Sequence, residues 1–326
     1  MIRVLRLLFI CFCVLPFATF ASGNEKGKAP PVEVRVGAYI TSVYELNPNN
    51  NTFIADFWLW FVHDGKQQIK PLKTLEFENA RDFKASLDVS EDHGDQRYHA
   101  EKVHGVFNHG WNTEKFPFDR HELQIRLSEG QAESSTLTYA ADGVNTGVDP
   151  QIKIEGWRVE KVIIRTGARE YNTTFGVPGE TGGSTYASAV ISIFIARDAA
   201  GIFWKLMAAV YIAFIIGLVS FFMDPSKDSF FTGRLSLLSA MIFAVVINSS
   251  RVAASLGQNP SFTLADKIHV LTLIFLLMAI VASVISRKLH VRGNGAMALR
   301  LDRLMALAFF GVYLMINLIV IKMAAC

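Results

Sequence analysis

The sequence predicts an all-β sandwich followed by an α-helical domain that crosses a membrane four times. Three observations predict it. The chain changes character near residue 200: residues 22–200 carry 19 Lys and Arg against 25 Asp and Glu, net −6, whereas residues 201–326 carry 11 against 4, net +7. Short alternating apolar runs separated by turn-formers fill the first part. Four apolar segments of about 20 residues or more fill the second.

Composition already excludes several classes. Of 326 residues, 51% are hydrophobic and 19% charged, and mean hydropathy is +0.29. That is too apolar for a disordered, collagenous or coiled-coil chain. The overall pI near 8.7 averages an acidic unit and a basic one. The basic charge sits beside apolar segments rather than on an exposed face, so nucleic acid is not an expected partner.

Taken in order, the N-terminus reads as a secretory signal over residues 1–22. Arg3 and Arg6 precede an apolar stretch broken by Pro16, and Thr19, Ala21 and Gly23 are small. Cys11 and Cys13 would leave with it, so Cys326 stands alone and no internal disulfide is expected. Residues 30–198 form the exported unit. Runs at 32–39, 53–62, 99–107, 122–127, 157–164 and 187–195 alternate, bounded by turns such as Asn47-Pro48-Asn49 and Asp64-Gly65. They predict an antiparallel, immunoglobulin-like sandwich. No flexible linker follows, because Ile195-Ala196-Arg197-Asp198 runs straight into the apolar half.

Residues 200–326 hold spans at about 202–223, 230–255, 264–286 and 301–322. The second differs by carrying Arg234, Asn248, Arg251 and several serines. Polar groups in a span normally face protein or water rather than lipid. The Lys/Arg-rich stretch 287–303 is expected in the cytoplasm by the positive-inside rule. The first unit and the C-terminus then both lie outside, and the chain is expected in the cell (inner) membrane.

Several segments, in order, resemble the pentameric ligand-gated ion channels (the Cys-loop receptor superfamily), most closely the prokaryotic branch. Lys115-Phe116-Pro117-Phe118-Asp119-Arg120-His121-Glu122-Leu123-Gln124-Ile125 resembles the family's Phe-Pro-Phe-Asp turn and the strand after it. Glu78-Asn79-Ala80-Arg81-Asp82 resembles a loop A segment, Gly156-Trp157 the start of the ninth strand, and Arg197 the arginine ahead of the first span. Arg234-Leu235-Ser236-Leu237-Leu238-Ser239 resembles the pore helix. The likeness runs from about residue 32 to the end. The cysteines that bracket the Phe-Pro-Phe-Asp loop in animal members are missing, as is the proline of the first span. Asn47-Pro48-Asn49-Asn50-Asn51 lacks a carboxylate that some relatives place there.

The resemblance implies a homopentamer of identical subunits whose second spans surround a passive ion path. It implies an axial stripe of Ser236, Ala240, Phe243, Ile247, Ser250 and Ala254, which helical spacing puts on one face. Narrow apolar rings of Phe243 and Ile247 could stop ions by dewetting. The competing reading packs both against neighbouring helices, and a one-residue slip selects Ser239, Ile242, Val246 and Ser249 instead. It also implies a coupling interface of Asp119, Arg197, Pro260 and Phe262. An agonist site behind loop C (about 171–186) would use Phe77, Arg81, Tyr139, Tyr171, Phe175 and Tyr186, with Trp58 and Trp60 from the opposing face. Aromatic walls suit an organic cation, although aromatic residues in strands commonly belong to the core.

The expected partners are identical subunits, membrane lipid, permeating inorganic ions, and a small-molecule agonist or protons. Arg251 opposes cation flow if it faces the axis, and the mouth at 228–234 lacks the glutamate common in cation-selective relatives, while the acidic exported unit would concentrate cations; the resemblance to prokaryotic members, mostly cation channels, tips the expectation to cations. Six histidines lie outside the spans, at 63, 93, 99, 104, 109 and 121, so a pH response is conceivable. No nucleophile elbow, zinc-ligand spacing or phosphate loop occurs, so no enzyme, cofactor or metal is expected. The rival function is a membrane-anchored binding or adhesion module that conducts nothing.

Overall fold

The computed structural model describes residues 30–67, 69–179, 181–256 and 261–325. The expected signal segment, the three cysteines and Pro260 lie outside the described residues. Ten strands form the first part: β1 (Val32–Asn47), β2 (Thr52–Asp64), β3 (Leu75–Phe77), β4 (Ala80–His93), β5 (Gln96–Asn108), β6 (Arg120–Glu133), β7 (Leu137–Ala141), β8 (Gly147–Val148), β9 (Trp157–Tyr171) and β10 (Ser184–Arg197). A four-residue helix, α1 (Pro71–Thr74), precedes β3. One sheet runs β4-β5-β2-β1-β7, with β8 also on β1; the other runs β3-β6-β10-β9.

Period-two alternation builds the core between the sheets. Val34, Val36, Ala38 and Ile40 of β1 face inward, as do Phe53, Ala55, Phe57, Leu59 and Phe61 of β2. The second sheet answers with Leu123, Ile125 and Leu127, and with Ile191, Ile193 and Ile195; all are essentially inaccessible. Each large side chain so buried contributes roughly 1.5–3 kcal/mol. The sandwich is not wholly antiparallel, since β1 pairs with β7 and β8 in parallel. The chain leaves β6, turns at 134–136 and joins the other sheet beside β1, so β7 runs in the direction of β1. Gly37 is required where it stands: a Cβ there would lie 2.4 Å from the Trp60 ring.

Four long helices follow: α2 (Ala199–Val219), α3 (Asp228–Leu256), α4 (Leu264–Val291) and α5 (Gly295–Ala325). Each is long and apolar enough to cross a membrane. They run up and down, so α2 and α4 start at the sandwich and α3 and α5 return to it. A short turn, Ser220–Phe222, ends α2. Thr263 caps α4 by a reciprocal pair: its Oγ accepts from the Asp266 amide at 3.1 Å, and its own amide donates to Asp266 Oδ2 at 2.9 Å. The helix α5 begins at Gly295, ahead of the expected start at 301, because only residues 292–294 turn between it and α4. Helix α3 packs between α2 and α4, while α5 packs chiefly on α4.

Candidate site: a helix face, a buried joint and an aromatic cluster

Helix α3 has two unlike faces. Arg234, Leu238, Val245 and Val252 are buried against the bundle. On the opposite face Ser236, Ala240, Phe243, Ile247, Ser250 and Ala254 are all exposed, Phe243 at 68% and Ile247 at 55%. In the slipped register Ser239 and Val246 are exposed but Ile242 and Ser249 are half-buried, so the open face is centred on the first set. The rotation of α3 is held by Asn248. Its Nδ2 donates to the Leu206 carbonyl of α2 and lies at the same 2.9 Å distance from His269 Nε2 of α4. A polar side chain inside the apolar helix thus faces protein on both neighbours.

The joint between sandwich and helices is a buried polar layer that continues the core alternation. On β6 the inward parity of Leu123, Ile125 and Leu127 extends back to His121 and Asp119. On β10 the parity of Ile193 and Ile195 extends forward to Arg197. Arg197 grips Asp119 with two bonds, Nε to Oδ1 at 2.6 Å and Nη2 to Oδ2 at 2.9 Å. The guanidinium also lies over the Trp157 ring at 4.0 Å and Phe116 at 5.0 Å. A bidentate, charge-assisted pair beside aromatic faces is a strong local contact. Burial resists ionisation of Asp119, but bonds from His121 and Arg197 outweigh it and hold the carboxyl below the usual range.

The loop carrying Phe116-Pro117-Phe118 reaches into the helices. Phe116 is buried with Phe203, Met207, Leu264, Ala265 and Ile268, and Phe118 meets Phe203 at 5.6 Å. The Leu264 amide, at the start of α4, donates to the Glu114 carbonyl at 2.9 Å. Phe262, two residues earlier, is 55% exposed. A displacement of the sandwich therefore has a covalent route through Arg197 into α2 and a packed route through Phe116 into α2 and α4.

Of the residues expected around an agonist, the structure gathers Tyr171, Phe175 and Tyr186. Their ring centroids lie 5.1–6.4 Å apart, and the Arg169 guanidinium lies 5.5 Å over Tyr171. Phe175 sits at φ 53° and is 62% exposed, an uncommon backbone state for a bulky residue. The others lie elsewhere. Tyr139 is an inward residue of β7, 7% exposed, its ring tilted against Phe61 and its hydroxyl donating to Glu129; the parity it shares with Leu137 makes it core rather than wall. Phe77 packs on Phe83 and Phe57. Arg81 donates to Asn108 Oδ1 and the Asn50 carbonyl, at the β1–β2 turn. Trp58 is half-buried, and Trp60 is covered, donating to Asp142 Oδ2 at 3.1 Å.

A second buried pair, which the sequence reading does not single out, lies at the end of the bundle remote from the sandwich. Arg234 of α3 donates to Asp302 Oδ2 of α5 at 2.8 Å and to the Phe221 carbonyl at 3.3 Å, with Met223 O also in contact. Both side chains are almost completely inaccessible. Three helices' worth of chain converge on one guanidinium, which ties α3 to α5 across a gap that few other contacts bridge. Among the described residues no cluster of three or more His, Cys, Asp or Glu side chains could hold a metal ion. Comparison with protein-family models and with curated proteins gives no match.

Proposed function

We propose that the chain is one subunit of a pentameric ligand-gated ion channel. Five copies of α3 would turn the open face of Ser236, Ala240, Phe243, Ile247, Ser250 and Ala254 toward a shared axis. The single observation that carries this reading is the division of α3 into a packed face and an opposite face of serines, alanines and two large apolar residues. Phe243 and Ile247 would close the path by excluding water at its narrowest level. An agonist or a pH change at the sandwich would act through Asp119, Arg197 and the Phe116 loop. Tyr171, Phe175 and Tyr186 supply one half of an agonist site whose other half belongs to the next subunit. The acidic sandwich would gather cations at the mouth, so the path conducts cations, with the protein acting as a receptor rather than an enzyme.

The test is accessibility in vesicles. Cysteines placed singly at 236, 240, 243, 247, 250 and 254, with Cys326 replaced, should react with a charged aqueous thiol reagent; cysteines at 238, 245 and 252 should not. Planar-bilayer recording on the same preparation, with reversal potentials in asymmetric salt, measures conduction and selectivity. If the open face proves inert to the reagent and the bilayer stays silent under amines, carboxylates and pH steps, that face meets lipid. The chain is then a membrane-anchored binding module.

A further inference from the structure

The joint holds more ionisable chemistry than an Asp–Arg pair requires. His109, in the loop after β5, and His121, on β6, sit side by side with Nε2 of the first 3.4 Å from Nδ1 of the second. His121 Nε2 lies 3.0 Å from Asp119 Oδ2. The groups facing the pair come from each surrounding element: Asp119 from the loop, Arg197 from β10, Trp157 from β9, Phe53 from β2 and Trp111 beside His109. The His109 amide donates to the Asn51 carbonyl of the β1–β2 turn at 2.8 Å.

We propose that His109 and His121 together form a proton-binding site, and that filling it loosens the Asp119–Arg197 pair. The hydrogen bonds allow both states without rearrangement. With both rings neutral, His121 Nε2–H donates to Asp119, and its Nδ1 accepts from His109 Nε2–H. With one proton added from solvent at His109 Nδ1, His109 Nε2–H still donates to His121 Nδ1 and His121 Nε2–H still donates to Asp119, so both bonds persist. The charge balance does change. Asp119 and Arg197 cancel, so the four groups are neutral together; the added proton leaves one positive charge that shares a single carboxylate with Arg197. Arg197 can regain water when its hold on Asp119 weakens, its side chain being 13% exposed where that of Asp119 is 1%. Arg197 leads directly into α2, so the loosening lands on the first helix. Burial, then the neighbouring His121, pushes the His109 imidazole down to about 4, so the site fills only under acid conditions.

The effect on opening rests on the channel reading; proton binding does not, and the test separates them. The full chain in detergent or lipid is titrated from neutral to about pH 4, following tryptophan emission and amide exchange. An imidazolium in ring contact quenches indole, and the Trp111 ring lies 4.6 Å from His109. Wild type should quench reversibly by about twofold more than His109→Gln/His121→Gln. Its Arg197 amide, which donates to the Asp119 carbonyl at 3.2 Å, should lose protection at least about threefold at the acid end after correction for intrinsic rates, and the double variant should not. Should the double variant fail to fold, His109→Gln alone should show the same loss of response at reduced size. Equal titrations in wild type and variant, or unchanged protection at Arg197, overturn the proposal. A clear response from a protein that passes no current at any pH leaves the proton site standing and removes the channel.

Discussion

Two arginine–aspartate pairs mark the two ends of the helical bundle, and they are built differently. At the sandwich end Arg197 meets Asp119 with two bonds, the Trp157 and Phe116 rings lie against the guanidinium, and His121 also meets Asp119 Oδ2. At the remote end Arg234 meets Asp302 with one bond, and Arg234 Nε and Nη1 and Asp302 Oδ1 are buried without a partner. Desolvating two charges costs several kcal/mol each, which attraction offsets only when the remaining donors and acceptors are also satisfied. The sandwich-end pair meets that condition and the remote pair does not. The first is thus a contact that adds strength; the second is one whose loss is costly mainly because of what it leaves behind.

The largest effect should follow from Asp302→Ala, which strands the Arg234 charge in an apolar bundle. A loss of about 3–5 kcal/mol is expected, read as a fall in thermal unfolding midpoint in detergent. Arg234→Met/Asp302→Leu should recover most of it, because removing both charges removes the desolvation cost. A double variant no better than the single would show the remote pair to be as well satisfied as its counterpart. Arg197→Ala comes next, at about 2–4 kcal/mol, since it leaves the buried Asp119 carboxylate without its guanidinium partner and with the His121 ring beside it. Here the loss should be local: exchange protection should fall at residues 195–198 and at the Leu264 amide before the core opens. Arg197→Lys should not rescue it, because an ammonium supplies neither the fork nor the stacking plane.

The contrast between the pairs also explains what the sequence disclosed. The Phe-Pro-Phe-Asp segment and Arg197 flank strands whose apolar parity is plain, and that parity extends to Asp119, His121 and Arg197. The same counting along β5, from Phe107 to His109 to Trp111, would have found the histidine pair. Tyr139 belongs to the core by the same parity, its register with Leu137 turning it inward. The remote pair left no comparable sign. Arg234 stands at the polar start of the second span and Asp302 within the Lys/Arg-rich stretch 287–303; only the short connection of residues 292–294, with α5 starting at Gly295 rather than near 301, brings Asp302 inside the bundle. Strand β4 carries no such signal because nearly all its side chains are exposed, which erases the alternation that identifies a half-buried strand.

Acid should separate the two ends. Burial and His121 hold His109 down to about 4 in the folded chain, whereas an unfolded histidine titrates near 6.5. The unfolded state therefore binds the extra proton first, and stability present above about pH 6.5 is lost as pH falls toward the folded value. His109 is partly accessible, so the expected loss is on the order of 2 kcal/mol rather than the full value of the shift. Asp119 adds a second loss only below about pH 3.9, since its folded carboxyl is lowered. His109→Gln should flatten the first window and leave the second. A variant whose unfolding midpoint falls with pH as steeply as wild type would place the acid sensitivity elsewhere.

The smallest effect on stability, and the most informative about function, is expected between the pairs on the face of α3 that neither touches. Phe243→Ser and Ile247→Ser remove side chains that are 68% and 55% exposed in the subunit, so each should move unfolding by no more than about 0.5 kcal/mol. If that face lines a shared path, the same changes replace the dewetting level by hydroxyls and should raise resting leak through the bilayer. If it meets lipid, the substitution puts a hydroxyl in hydrocarbon and no current follows. Val245→Ser, on the opposite face of the helix and buried at 1%, is the control. It should cost about 1–3 kcal/mol and leave leak unchanged, so that a current tracking exposure rather than instability identifies which face of α3 touches water.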